Sequence, residues 1–239
     1  MTERDNLFQR IWKALRARSA NPSKRAARSL RPAAAAGRPI LIVVEGRNDI
    51  EFLRKASAVL RNADDALPDL GHLERRGRVV FVPFGGDPRQ WVFRFAELGR
   101  PEFHLFDREV APATEIRREA ARIINLRPDS HAAMTSKRSV ENYLHRDAIL
   151  EARGIQVHFS DDDDVADLVA QQCFLQFHPS EPWSEQSVRA RRRLRNRVKS
   201  WLNTSAVDRM TAARFAERDP AGEIRDWLCV IAEMAGGSS

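Results

Sequence analysis

Four acidic residues in the first half of the chain have types and spacings that could bind a cation and assist phosphoryl chemistry. Glu45 and Asp49 follow one apolar segment, and Asp107 and Glu109 directly follow another. Residues two apart in an extended segment point the same way, so we expect both carboxylates of Asp107-x-Glu109 on one side of a strand end. Two like charges at such a short distance repel each other unless they are solvated, protonated or bridged by a cation. Mg²⁺ and Mn²⁺ are hard ions that take such oxygen ligands.

The apolar segments before these acids have the composition of strands buried on both faces. Residues 40–44 are five consecutive apolar, mostly β-branched residues, a pattern typical of parallel sheets in α/β proteins. Further strands are predicted over residues 78–83 and 102–106, and a helix is predicted to start at Asn48 or Asp49. Open α/β sheets bind ligands at the carboxyl ends of their strands, where these acids stand. A plain strand, turn and helix with solvated acids is the alternative interpretation.

A pair of glycines, Gly85-Gly86, follows the second predicted strand. Two adjacent glycines commonly mark a tight turn, and they also allow backbone amides to approach an anion such as a phosphate. A helix over residues 88–98 is predicted to start directly behind them, with the positive end of its dipole toward the turn. Residues 61–76 are polar and contain proline and glycine, so they are predicted to form a loop.

Four short motifs, in this order, resemble the Toprim domain, the metal-binding fold of type IA and II topoisomerases, DnaG-type primases and OLD-family nucleases. The motifs are Glu45-Gly46 with Asp49, Gly85-Gly86, Asp107-x-Glu109, and Lys137-Arg138-Ser139-Val140-Glu141-Asn142-Tyr143-Leu144. The last motif, a basic pair followed by Glu-Asn-Tyr-Leu, resembles the Toprim domains of OLD-like nucleases and of related stand-alone or ATPase-associated proteins. The resemblance covers residues 39–150.

This resemblance implies an α/β fold with a Rossmann-like, mainly parallel sheet flanked by helices. It also implies Mg²⁺- or Mn²⁺-dependent cleavage of nucleic-acid phosphodiesters, in phage defence or DNA repair. Glu45 takes the role of metal ligand or general base, Asp107 and Glu109 become metal ligands, and Asp49 becomes a supporting acid of the metal site. Lys137 is the candidate for stabilising charge on the phosphate in the transition state.

One position departs from the family pattern, which usually has Asp-x-Asp where this chain has Asp107-Arg108-Glu109. Glutamate is also an oxygen ligand, but its extra methylene moves the carboxylate, so we expect metal binding to be retained more readily than catalysis. A non-catalytic module that binds nucleic acid or a partner is therefore the alternative function. Arg138 is a candidate phosphate-binding residue, and Glu141 is either a residue behind the metal site or a buried partner of Arg138.

Beyond residue 150 the pattern becomes helical, and residues 151–239 are predicted to form a small C-terminal helical subdomain. The four aspartates at 161–164 are interpreted as a cap for a helix over residues 165–177, because the glycine and terminal glutamate of an EF-hand Ca²⁺ loop are missing from the sequence there. A last helix is predicted to begin at Asp219-Pro220.

Residues 189–199 contain seven basic residues and no acidic one. Leu194, Val198 and Trp201 recur at helical spacing, which predicts an amphipathic helix docked on the domain with its arginines facing outward. A solvated face normally mixes charge signs, so contact with the phosphates of nucleic acid or with an acidic partner is favoured. The candidate phosphate-binding residues are Arg189, Arg191, Arg192, Arg193, Arg195, Arg197 and Lys199.

The net charge of +7 is concentrated in an N-terminal arm, residues 1–38, which has 10 Lys/Arg and 2 acidic residues. Apolar residues between positions 7 and 15 line one side of a predicted helix, and residues 21–37 have the composition of a linker. The arm either contacts nucleic acid or a partner, or packs on the domain; an organellar transit peptide is a further alternative. The sequence has no P-loop motif, whereas OLD-like Toprim nucleases are commonly coupled to a P-loop ATPase. The resemblance therefore implies a separately encoded ATPase or another partner, bound through this arm.

Composition excludes several other classes. The 239 residues, 43% apolar, suffice for one core with a small extension, and Cys173 and Cys229 are too few for a disulfide framework. There is no segment of membrane-spanning length and no signal sequence, so we expect a cytoplasmic protein without a membrane partner. The six histidines are scattered, and no zinc-ribbon cysteine set accompanies the motifs. We expect nucleic acid as the partner, DNA in preference to RNA.

Overall fold

The structure is a computed structural model that describes residues 38–236, all of which belong to one compact unit, Ala35–Ser239. The predicted basic helix and linker of the arm lie outside the described residues. The strands are β1 (Ile40–Val44), β2 (Val79–Pro83), β3 (Glu102–Phe106) and β4 (Ser130–Met134). The α-helices are α1 (Arg47–Ala63), α2 (Leu70–Arg75), α3 (Ala113–Ile124), α4 (Arg146–Arg153), α5 (Val165–Phe177), α6 (Val188–Trp201), α7 (Ala212–Arg218) and α8 (Glu223–Met234).

The four strands form one parallel sheet in the order β2-β1-β3-β4. Ile42 in β1 pairs with Phe81 in β2 on one side and with Phe103 in β3 on the other. All residues of β1 and β3 are buried, which explains the unbroken apolar run of β1. The predicted α/β architecture with a parallel sheet flanked by helices is confirmed. β4 carries too few apolar residues to be recognised from its sequence.

The hydrophobic core is shared between the sheet and the helices beyond residue 150. Phe52 on α1 meets Phe215 on α7 edge to face, with ring centroids 6.4 Å apart. Tyr143 meets Trp227 on α8 in the same way, at 5.6 Å. Both contacts join residues before position 150 to residues after it, and all four side chains are buried. The predicted C-terminal helices are present, and they pack into the same core as the sheet.

Two segments differ from the sequence prediction. The predicted loop over residues 61–76 contains the end of α1 and all of α2, where the side chain of Asp69 caps the helix by accepting from the amide of His72 at 2.9 Å. The predicted helix over residues 88–98 is instead two 3₁₀ turns, Pro88–Gln90 and Ala96–Leu98, with further turns between them. The aromatic residues of this segment have lower helix propensity than the straight-chain residues that favour helices.

The C-terminal helices follow the predicted caps closely. α5 starts after Asp164, whose carboxylate accepts from the amide of Asp167 at 3.0 Å, as predicted. α8 starts three residues later than predicted, but Asp219 still binds its first amides, those of Glu223 and Ile224. A π-helical turn, Leu202–Ala206, follows α6 directly. Within residues 38–236, no helix is both long enough and apolar enough to cross a lipid bilayer.

Candidate metal centre

Three acidic side chains meet at the carboxyl edge of the sheet. β1 and β3 are adjacent parallel strands, so the residues that follow them emerge side by side. Glu45 follows β1, Asp107 follows β3, and Glu109 lies two residues further on. One carboxylate oxygen from each lies within 4.8 Å of the others. These three predicted site residues are therefore brought together, and they could hold a metal ion.

The sequence predicted that Glu109 reaches the cluster because residues two apart in a strand point the same way, but Glu109 lies beyond the strand. β3 ends at Phe106, and Glu109 has a positive φ of 55°, in the left-handed region that non-glycine residues rarely adopt. Its amide donates to the carbonyl of Arg138 at 2.8 Å, and its carbonyl accepts from Thr114 Oγ1 at 3.2 Å. These two hydrogen bonds stabilise the turn that places the Glu109 carboxylate beside Asp107.

Asp107 is the most constrained acid of the cluster. It is 4% exposed, and its Oδ1 accepts from the amide of Val140 at 3.1 Å. Its Oδ2 is buried and has no hydrogen-bond partner among the described residues. Burial, followed by the nearby charge of Asp49, raises the pKa of Asp107 well above its usual range. A buried acceptor without a partner is costly, and a bound cation would satisfy it.

Asp49 lies behind the cluster, and like Asp107 it is buried with one carboxylate oxygen bonded to a backbone amide and the other without a partner. Its Oδ2 accepts from the amide of Gly46 at 2.7 Å, in the first turn of α1, while its Oδ1 has no partner in the described part of the chain. Burial raises the pKa of Asp49 to about 7, and the negative charges of Glu141 and Glu45 add to this effect while Lys199 opposes it. Gly46, and not Asn48 or Asp49, is the N-cap of α1. The orphaned oxygens and the all-carboxylate donor set fit a hard divalent cation.

Two guanidinium groups pair with Glu45 and Glu109, the two more exposed acids of the cluster. Arg117, on α3, is 3.0 Å from Glu45, and Arg138 is 3.7 Å from Glu109. Arg138 also lies 3.6 Å from Asp164. Sequence reasoning missed Arg117, because its position on a helix with charged neighbours carries no signal that it reaches the sheet edge. Both arginines offset the negative charge of the cluster.

A buried ion pair lies on the inner side. Glu141 is 2% exposed, the Lys199 ammonium is 3.5 Å from its carboxylate, and Asn203 Nδ2 donates to the same carboxylate oxygen at 2.6 Å. Glu141, followed by Asp107, Asp49 and Glu45, raises the pKa of Lys199. The structure thus places Lys199, a predicted phosphate-binding residue, against the acids, whose negative charge holds its ammonium. The partners of Glu141 are Lys199 and Asn203, whereas Arg138 pairs with Glu109 and Asp164.

Asn203 is a further residue that sequence reasoning missed. It is buried in the π-helical turn after α6, and its Nδ2 donates to the carbonyl of Lys199 at 2.9 Å as well as to Glu141. Its Oδ1 has no partner within residues 38–236. π-Helical turns inside helical segments recur at functional sites, which is the one signal that the backbone offers here.

Lys137, the residue predicted to stabilise charge on the phosphate, forms an ion pair with Asp161. Its buried ammonium is 2.5 Å from Asp161 and 5.4 Å from the centre of the Tyr143 ring. Arg218 binds Asp161 as well, at 3.2 Å. The structure thus places Lys137 against Asp161, while Lys199 is the ammonium whose charge acts on the acids.

The basic residues of α6 divide into two groups. Arg195 forms a two-pronged ion pair with Asp164 at 2.8 Å, and Lys199 faces the acids. The group that faces solvent consists of Arg189, Arg192, Arg193 and Arg197, with Arg191 half-buried. Positions 189, 192, 193 and 197 fall on one face of a helix. The predicted basic surface is therefore a single stripe, which we call the arginine stripe, made of these four exposed residues.

Gly85 and Gly86 form a turn directly beside Glu45. Both have positive φ, 58° and 75°, and a Cβ at either position would meet nothing within 4 Å. Backbone conformation, and not packing, therefore requires glycine here. The amide of Gly85 donates to the carbonyl of Glu45 at 3.0 Å, so this amide is occupied.

Comparisons of the chain with protein-family models, with curated proteins and with solved structures found no match. The assignment of a function therefore depends on the geometry of the site.

Proposed function

We propose that the protein is a Mg²⁺-dependent hydrolase of nucleic-acid phosphodiesters, a Toprim-type nuclease similar to those of the OLD family. The observation that carries this proposal is the cluster of Glu45, Asp107 and Glu109, with ligand oxygens within 4.8 Å of one another at the carboxyl edge of a parallel sheet. The sequence motifs that resemble the Toprim family stand at the same strand ends. Mn²⁺ is the other ion that suits this donor set.

Glu45, Asp107 and Glu109 would hold the ion, with Asp49 behind them. A bound Mg²⁺ would stabilise negative charge on the phosphate and lower the pKa of a water molecule. The chain's own contribution is to fix the carboxylates. Val140 orients Asp107, the turn at Glu109 directs its carboxylate inward, and Arg117 contacts Glu45. The Glu45 side chain is 37% exposed, which makes it the acid best placed to accept a proton from a water molecule.

Substrate binding is assigned to the arginine stripe. Its four guanidinium groups are exposed, lie on one helical face and face no acidic residue of their own helix. Such a surface neutralises successive phosphates and binds nucleic acid with little sequence dependence. α6 also carries Lys199 to the acids, so one helix connects the binding surface to the candidate centre.

A second candidate function is a non-catalytic nucleic-acid-binding module. Two ion pairs favour it: Arg117 pairs with Glu45, and Arg138 pairs with Glu109. These guanidinium groups partly neutralise the cluster without any metal. In that case the acids would have a structural role, and nucleic-acid binding would not depend on divalent ions.

One experiment separates the two candidates. Purified protein is incubated with supercoiled plasmid, linear duplex and single-stranded substrates in Mg²⁺, Mn²⁺ or EDTA. The nuclease proposal predicts cleavage in Mg²⁺ or Mn²⁺ that is lost in EDTA and in Asp107→Asn purified in parallel, which also controls for contaminating nucleases. Equal binding in metal and in EDTA, with no cleavage of any substrate, would support the non-catalytic module.

A further inference from the structure

An aromatic segment with one exposed ring, that of Phe93, follows β2. Residues 91–95, Trp-Val-Phe-Arg-Phe, form turns between the two 3₁₀ helices that follow β2. Phe93 is 41% exposed, and Trp91 and Phe95 are half-buried. The rings of Trp91 and Phe95 lie 5.7 Å apart, and the Trp91 ring also packs on buried Phe84 at 6.0 Å. We call residues 91–95 the aromatic segment.

The aromatic segment is anchored beside the acidic cluster. The indole N–H of Trp91 donates to the carbonyl of Gly85 at 3.2 Å, and the amide of Gly85 donates to the carbonyl of Glu45 at 3.0 Å. Two hydrogen bonds thus connect the indole to the residue that supplies one carboxylate of the candidate centre. The space that a Cβ of Gly85 or Gly86 would occupy is open, so a ligand can approach the backbone there.

Arginines lie against the rings of the segment. The guanidinium of Arg94 is 5.9 Å from the centre of the Trp91 ring, and that of Arg127 is 5.8 Å from the centre of Phe93. Arg127 is also paired with Glu102, so Arg94 is the arginine whose charge is available to a phosphate. Exposed aromatic rings combined with arginine are the recurring composition of sites for single-stranded nucleic acid. There the rings stack on unpaired bases and the positive charge attracts the phosphates. A duplex keeps its bases stacked on one another and offers no free base face.

We propose that the aromatic segment stacks on the unpaired bases of a single-stranded nucleic acid and so presents the adjoining phosphodiester to Glu45, Asp107 and Glu109. This inference deepens the proposed function and rests on it for the fate of that phosphodiester. It names single strands, or single-stranded regions of a larger nucleic acid, as the substrate class. The exposed base face is common to DNA and RNA, so both belong to the test.

Binding is measured first, without cleavage, by fluorescence anisotropy of labelled single-stranded DNA, single-stranded RNA and the matching duplex, in EDTA. The full-length wild type should bind the single strands more tightly than the duplex. Phe93→Ala should weaken single-strand binding by about tenfold and leave duplex binding unchanged. Phe177→Ala, which removes another exposed phenylalanine at the end of α5, is the matched control and should change neither.

Tryptophan fluorescence gives a second readout of stacking itself. Binding of a single strand should quench the emission of the wild type, and Trp91→Phe should remove that part of the quenching while retaining most of the affinity, because a ring remains. Unchanged single-strand affinity in Phe93→Ala, or an equal loss for single strand and duplex, would overturn the proposal. Partial unfolding of a variant would lower its affinities for single strand and duplex by the same factor, so the ratio of the two affinities remains a valid test.

Cleavage assays on the same variants separate this inference from the proposed function. If wild type cleaves in a metal-dependent manner and Phe93→Ala binds single strands as wild type does, the stacking role of the aromatic segment is rejected and the nuclease proposal is retained. Selective loss of single-strand binding in Phe93→Ala, with no cleavage by wild type in any metal, would support the aromatic segment and reject the nuclease.

Discussion

The ammonium of Lys199 lies 3.5 Å from the buried carboxylate of Glu141, at the point where the C-terminal helix α6 meets the acidic edge of the sheet. This pair makes the helices beyond residue 150 part of the candidate centre. Lys199 is held by Glu141, and its charge also acts on Asp107, Asp49 and Glu45. It stabilises a cluster that would otherwise have unopposed negative charge on its inner side.

Removal of the ammonium with Lys199→Met should destabilise the protein. Breaking a buried ion pair on one side leaves an uncompensated charge, which costs about 3–5 kcal/mol. Urea unfolding measures the change, and the exposed neighbour Arg197→Met is the control, with an expected change within about 0.5 kcal/mol. Adding Glu141→Gln to Lys199→Met should recover part of the loss. If Lys199→Met costs no more than Arg197→Met, the ion pair does not stabilise the fold.

Lys199→Met should also tighten binding of Mg²⁺ or Mn²⁺, because it removes a positive charge that competes with the ion. Isothermal titration of the folded variant measures this effect separately from stability. Weaker metal binding would show that Lys199 organises the acids more than it opposes the ion.

The Asp49 carboxyl should make the metal-free protein less stable as the pH rises from about 4 to about 7. The folded-state pKa of Asp49 is raised from 3.8 to about 7, so the folded protein binds more protons than the unfolded chain in this window. Stability from this group is present at low pH and is lost as the pH rises through the folded-state pKa. Urea unfolding in EDTA at several pH values measures the slope. Asp49→Asn should flatten it, and an identical slope in this variant would contradict the assigned shift.

Substitution of the arginine stripe should reduce the salt dependence of nucleic-acid binding. Changing Arg189, Arg192, Arg193 and Arg197 to Gln removes their phosphate contacts, and each lost contact lowers the slope of log K against log salt by about 0.9 on duplex DNA. Arg76→Gln, at an exposed arginine in the C-cap of α2, is the control. Arg195 and Lys199 are left intact, since both form ion pairs. An unchanged slope would show that the arginine stripe faces solvent or a protein partner and does not contact phosphates.

Glu109→Asp tests the difference between this chain and the Asp-x-Asp motif of the Toprim family that it resembles. Aspartate tolerates the left-handed backbone at φ 55° better than glutamate does, so stability should be unchanged or slightly raised. The shorter side chain withdraws the carboxylate from Asp107, so metal affinity should fall. Thermal unfolding and metal titration of the same preparation measure both effects. Tighter metal binding would show that this site is not adapted to glutamate.

The sequence predicted the strands and acids that form the edge of the sheet, because buried parallel strands leave an unbroken apolar run and their ends are marked by polar residues. It also predicted α5 and its cap, since Asp164 precedes a helical apolar pattern. It did not predict β4, an edge strand whose residues are mostly half-buried. The sequence could not predict the inward orientation of Lys199 either. Helical periodicity shows which face is apolar, but it does not show that a charged residue meets an acid 58 positions earlier in the chain.

The most direct test of the account is the melting temperature of the protein with Mg²⁺ or Mn²⁺ and with EDTA, for wild type, Glu45→Gln, Asp107→Asn and Glu109→Gln. A ligand at 100 times its Kd stabilises by about 2.7 kcal/mol, so wild type should melt about 5–10 °C higher in metal than in EDTA. The three variants should remain folded and lose that increase. Asp107→Asn should also melt in EDTA no lower than wild type, because it removes a repelling charge without breaking an ion pair. A melting temperature that does not respond to either metal in wild type or in any variant would contradict the metal centre.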